Sequence, residues 1–80
     1  MMKELIKLVW DFKGPTAEQT AIHHVIHLKE YATIEKLYST DSDIEKVSDD
    51  HYYAYLVVCS EEMKFVRDAL KPHRGLKHSL

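Results

Sequence analysis

The sequence predicts an α+β fold in which two helices cover one face of a four-stranded antiparallel sheet. Three observations carry this. Leu5 to Phe12 and His51 to Cys59 alternate with the period of two that marks strands. Between them, residues from about Pro15 to Leu37 follow the 3.6-residue period of a long helix. A second, shorter helical stretch follows the second strand and stops at Pro72.

In the first strand Ile6, Leu8, Trp10 and Phe12 share a strongly apolar face that should meet the core. Leu5, Lys7, Val9 and Asp11 form a mixed opposite face. Gly14-Pro15 ends the strand, and proline suits a first helical position, where its missing N–H costs nothing. In the long helix Ala17, Ala21, Val25, Leu28 and Ala32 make one stripe, small enough for close approach to a sheet. Ile22, Ile26 and Leu37 form a second apolar flank, which implies contact with another helix. His23, His27 and Ile34 lie opposite the main stripe, and His24 and Tyr31 fall between it and the histidine side.

Ser39 to Asp50 is polar and acid-rich, with a short strand expected at Ile44 to Val47 and a turn at Ser48-Asp49-Asp50. His51 to Cys59 then reads as the clearest strand of the chain, rich in aromatic and β-branched residues. Tyr52, Ala54, Leu56 and Val58 take one face; His51, Tyr53, Tyr55, Val57 and Cys59 take the other. Ser60 is placed to cap a helix whose first turn holds Glu61 and Glu62. Met63, Val66, Ala69 and Leu70 form its inward stripe, with Phe65 at the edge. Leu76, His78 and Leu80 alternate as a final strand would. The order β-α-β-β-α-β is the ferredoxin-like arrangement.

Eighty residues hold a single domain. So short a chain buries only about 60% of its unfolded surface, which favours a partner subunit or another brace. Cys59 is the sole cysteine, so no disulfide forms within the chain, and a lone thiol fits a reducing, cytoplasmic setting. No signal-like or membrane-spanning apolar run precedes the first strand, which points to a soluble protein. A formal charge of −2 with interspersed signs gives no footprint for nucleic acid. The basic stretch from Lys71 to His78 reads as a solvated terminus, with His73 and Arg74 able to cap carbonyls or meet an anion.

The runs Val9-Trp10-Asp11-Phe12-Lys13-Gly14-Pro15, His23-His24-Val25-Ile26-His27-Leu28-Lys29-Glu30 and Val66-Arg67-Asp68-Ala69-Leu70-Lys71-Pro72-His73-Arg74-Gly75 resemble a group of short, uncharacterised bacterial proteins. The resemblance covers most of the chain outside residues 38 to 50. More loosely, the layout is similar to dimeric α+β barrel proteins, which pair two ferredoxin-like units through their open sheet faces. That likeness implies a homodimer and carries no functional residues across.

His23 and His27 are four residues apart, so both imidazoles can reach one ion, with Glu30 a turn beyond and His24 as an alternative partner. A divalent transition metal such as zinc, nickel or copper would suit these ligands. A solvated, titrating face and an interface role are the other readings. Trp10, Asp11 and His24 are the candidate lining of a small-molecule cleft between sheet and helices. Asp11 has two roles open to it, accepting helix N–H groups or acting as a general base. Trp10 reads first as core packing. Leu5, Val9, Tyr53, Tyr55 and Val57 make the expected dimer face. Cys59 reads as a small buried hydrophobe.

The expected function is binding: a small cytoplasmic homodimer taking a small molecule or a metal ion. The alternatives are a cofactor-free enzyme of the dimeric-barrel type, with Asp11 and a histidine as acid and base, and an interaction module without a ligand.

Overall fold

The computed structural model describes residues 4–78. It is an α+β unit with the elements β1 (Leu5–Lys13), α1 (Ala17–Ile34), β2 (Ser42–Ser48), β3 (His51–Cys59), α2 (Ser60–Leu70) and β4 (Arg74–His78). The sheet is antiparallel throughout, in the order β2-β3-β1-β4. The two strands with the clearest alternation became its centre, paired from Leu5↔Cys59 to Lys13↔His51. Their helix-facing residues are apolar, while the opposite face keeps Lys7 and Asp11 among apolar and aromatic neighbours, as an antiparallel sheet with one face packed on helices allows. The polar β2 lies at an edge, where charged side chains discourage further pairing. A register shift between Lys46 and Ser48 throws Val47 out, leaving it 54% exposed. Leu80, expected to continue the last strand, lies outside the described residues.

Both helices pack on one sheet face. Leu8 and Trp10 of β1 and Ala54, Leu56 and Val58 of β3 share a core with Val25, Leu28 and Ala32 of α1 and Val66 of α2. Ala17, Ala21 and Ala32 are almost wholly buried, as the small-residue stripe requires. Gly14 adopts φ 107 and donates its N–H to Asp50 O at 2.7 Å, tying the end of β1 to the β2–β3 turn.

Four local expectations are corrected. α1 is shorter than Pro15 to Leu37 at both ends: Thr16 is its N-cap, so Pro15 lies in the turn before it rather than at its first position, and Lys36 enters the left-handed region at φ 53. Lys36 N–H then bonds Thr33 O, and Leu37 N–H bonds Ala32 O at 2.9 Å, closing the helix and folding Leu37 back onto the core. Ile22 and Ile26 meet no second helix and are 46% and 53% exposed. α2 lies on the other flank of α1, where Phe65 stacks on Tyr31 with centroids 6.4 Å apart. Ser60 is the first residue of α2 rather than its cap, since β3 runs straight into the helix and Ser60 N–H bonds Glu4 O at 2.8 Å. Ala69 faces solvent, so the inward side of α2 is Met63, Val66 and Leu70. Among the described residues no helix is long and apolar enough to cross a membrane.

Candidate functional site

The sheet face without helices carries the densest polar cluster. Register sets Asp11 of β1 opposite Tyr53 of β3, and His51 lies two residues before Tyr53 on the same face. Pairing with β4 sets Arg74 opposite Val9, one position along the same face from Asp11. The Asp11 carboxylate therefore accepts Arg74 Nε at Oδ2 and Arg74 Nη2 at Oδ1, both at 3.0 Å. His51 Nε2 reaches Oδ1 at 2.9 Å. The Arg74 hydrogen bonds, above all, hold the Asp11 carboxyl below its ordinary pKa; partial burial opposes them and His51 assists. Since an ionised carboxylate only accepts, the His51 contact needs a proton on Nε2, which in the neutral form of the ring leaves the lone pair at Nδ1. That is the geometry of a carboxylate-steadied imidazole.

His73, just before β4, completes the cluster differently. Its N–H bonds Val9 O at 2.9 Å, and its ring Nδ1 accepts the Asp11 backbone N–H at 2.8 Å. The imidazole thus replaces the carbonyl that β4 no longer supplies beyond Arg74. The same Nδ1 lies 4.0 Å from Asp11 Oδ2, but a nitrogen already accepting a hydrogen bond makes no ion pair there. Asp11 does not accept helix N–H groups, contrary to that expectation; its carboxylate points to the opposite side of the sheet.

The expected dimer face is less bare than its sequence. Lys7 Nζ sits 4.3 Å from the Tyr55 ring centroid and donates to Tyr53 Oη at 3.3 Å. The Arg74 guanidinium carbon lies 5.4 Å from the Tyr53 centroid. These long side chains cover the sheet, and Val9 and Val57 beneath are 0% and 1% exposed within the single chain. Tyr53 and Tyr55 remain partly exposed, as does Leu5.

On the helix face Trp10 is core, 4% exposed, and its Nε1–H donates to Leu70 O at 2.9 Å, satisfying a carbonyl at the end of α2. His24 packs its ring against Trp10 and Phe12, with centroids 5.1 and 5.4 Å away. Burial, then the nearness of His27 and His73, lowers its pKa, so a neutral imidazole is favoured. Its Nε2 is buried with no hydrogen-bond partner among the described residues. Trp10 and His24 therefore meet, while Asp11 faces the other way, because consecutive strand residues alternate.

The His23 and His27 rings lie side by side with centroids 5.0 Å apart and planes tilted by 58°, as their spacing implies, and His27 Nδ1 lies 3.5 Å from Glu30 Oε1. His23 and Glu30 are nearly two turns apart, about 10 Å along the axis, so the three do not converge. Among the described residues no group of three or more His, Cys, Asp or Glu side chains is set to hold a metal ion. With Phe12, Gln19, Thr20 and His24, the two histidines instead line a shallow groove.

A more enclosed hollow, with the same volume of about 440 Å³ as that groove, lies between α2 and β4. Ile6, Leu8 and Met63 make its floor, and Arg67 and Lys77 stand at its rim. It exists because the helices cover β1 and β3 but not β4, whose residue opposite Leu8 is Gly75. The cleft expected from the sequence was lined by Trp10, Asp11 and His24; this hollow lies elsewhere, and its mark in the sequence is the glycine inside an alternating strand. Cys59 is buried and free of disulfides, as expected. Neither family models, curated proteins nor solved structures give a match to the chain.

Proposed function

We propose that the protein is a cytoplasmic, ferredoxin-like small-molecule-binding protein that works as a homodimer. The strand order β2-β3-β1-β4, with both helices on one face, supports the ferredoxin-like assignment. The observation that carries the binding reading is the hollow between α2 and β4. Its volume of about 440 Å³ falls within the range of ligand sites, and it combines an apolar floor with a few polar groups at the rim. Pairing through the outer sheet faces leaves this hollow open, because it lies on the helix side. A neutral probe tests the reading. Titration with octanol should give saturable amide shifts centred on Met63, Arg67, Gly75 and Lys77. A response that never saturates, or that centres elsewhere, overturns it.

A second reading, a cofactor-free enzyme of the dimeric-barrel type, is favoured by the 2.9 Å contact between His51 Nε2 and Asp11 Oδ1. His51 Nδ1 would take a proton from a substrate, and the Asp11 carboxylate would steady the imidazolium formed. Base-promoted ring opening of a nitrobenzisoxazole, followed by phenolate absorbance, should then be slower with His51→Gln than with the wild type. Equal rates remove this reading.

A further inference from the structure

We infer that the hollow between α2 and β4 selects an amphipathic monocarboxylate, with the acid group between Arg67 and Lys77 and an alkyl or aryl body on the floor below. The inference rests on the binding reading above and adds the chemical class of the ligand.

The floor comes from β1. Ile6 and Leu8 project from its helix-facing side, and across the ladder from them stand Lys77 and Gly75. A Cβ at Gly75 would sit 3.6 Å from Leu8 Cδ2 and 3.7 Å from Ile6 Cγ2, in ordinary contact. The glycine is therefore not forced by crowding or by a positive φ. With no side chain there, Ile6 stays only partly covered beside the sheet edge, over a Leu8 that is itself buried. Met63 of α2 closes the floor from above, and Arg67 follows it by one turn on the same helix side.

The rim is cationic. Arg67 and Lys77 each bring a full positive charge, and Glu4 is the one acid in the lining. Arg74 also borders the hollow, but both nitrogens it turns to Asp11 are committed on the other face. Arg67 touches Asp68 at 3.6 Å between two side chains more than half exposed, a contact that a ligand carboxylate can displace. The end of α2 opposes an anion, but its partial charge fades within one turn, and Trp10 already occupies the Leu70 carbonyl. Two full charges outweigh that. A cationic head would gain only Glu4 and face both Arg67 and Lys77. A neutral head would gain hydrogen bonds without the charge.

Titration of the full chain with octanoate, octanol and octylamine, followed by amide shifts, separates the outcomes. Octanoate should bind about two- to fivefold tighter than octanol, the range an exposed ion pair allows, with octylamine weakest. Arg67→Ala and Lys77→Ala should each bring octanoate toward the affinity of octanol and leave octanol unchanged. Gly75→Val should abolish binding of all three, while unchanged shifts at Tyr53 and Tyr55 confirm that it folds. If octanol and octanoate bind equally at the hollow, the ligand class is wrong and the binding reading survives. If none of the three saturates, both fall. Octanoate shifts centred on His23 and His27 would overturn the placement.

Discussion

Replacing Asp11 with asparagine removes one charge and almost no volume, so its effect isolates the cluster at the end of the sheet. The carboxylate accepts three N–H groups at 2.9–3.0 Å from two different strands. Hydrogen bonds to charged groups contribute about 1.5–3 kcal/mol when desolvated, and exposed ion pairs about 0.2–1. The Asp11 side chain is 21% exposed and that of Arg74 is 44%, so the cluster sits between these limits. Asparagine keeps one acceptor oxygen and must turn an NH₂ group toward a cation. A net loss of about 1–2 kcal/mol follows. In a domain of this size that lowers Tm by about 5–15 °C. The pH dependence gives the sharper check. Because the folded pKa of Asp11 lies below its unfolded value near 3.8, its stabilisation is complete above that value. It disappears as pH falls through the folded pKa. Urea unfolding of both proteins at about pH 7 and at about pH 3 should therefore show a gap that narrows in acid. A gap of the same size at both pH values, or none at pH 7, would refute the argument that the ionised carboxylate holds the cluster.

Leu56→Ala, at a fully buried position on a central strand, should cost about 2–5 kcal/mol in urea unfolding, whereas Ile22→Ala, at a half-exposed one, should change stability by less than about 1. Comparable costs would mean that the core has been misplaced. Tyr55→Glu should convert a dimer to monomers in light scattering, and a wild type already monomeric at high concentration would exclude pairing through the outer sheet face. The His24 imidazole should titrate below 6.5 by NMR, so its contribution to stability is present above that pH and lost as pH falls. A midpoint at or above 6.5 would show that its packing against Trp10 and Phe12 does not exclude water.

The two central strands and the main stripe of α1 were determined by the sequence alone, through their periodicity. The period of two in Leu5 to Phe12 and His51 to Cys59 specified two strands and assigned their faces, since a side chain's side of a strand follows from parity. The stripe Ala17, Ala21, Val25, Leu28 and Ala32 likewise specified the buried side of α1. Helix ends were less legible. Leu37 keeps the apolar period, yet a left-handed Lys36 folds it back, and lysine carries no mark of that conformation. Ile22 and Ile26 read as a contact flank because sequence gives an angle around the helix but not the position of its neighbour.

Only the tertiary structure joined Asp11 to His51 and Arg74, which are 40 and 63 residues away. Parity placed Asp11 and His51 on outer faces but could not say that β1 and β3 would be neighbours in a register bringing them together. Pairing of β4 with the far side of β1 supplied Arg74. The hollow between α2 and β4 has the same origin. It is the space left where two helices cover three strands, and a void has no residues of its own to be read.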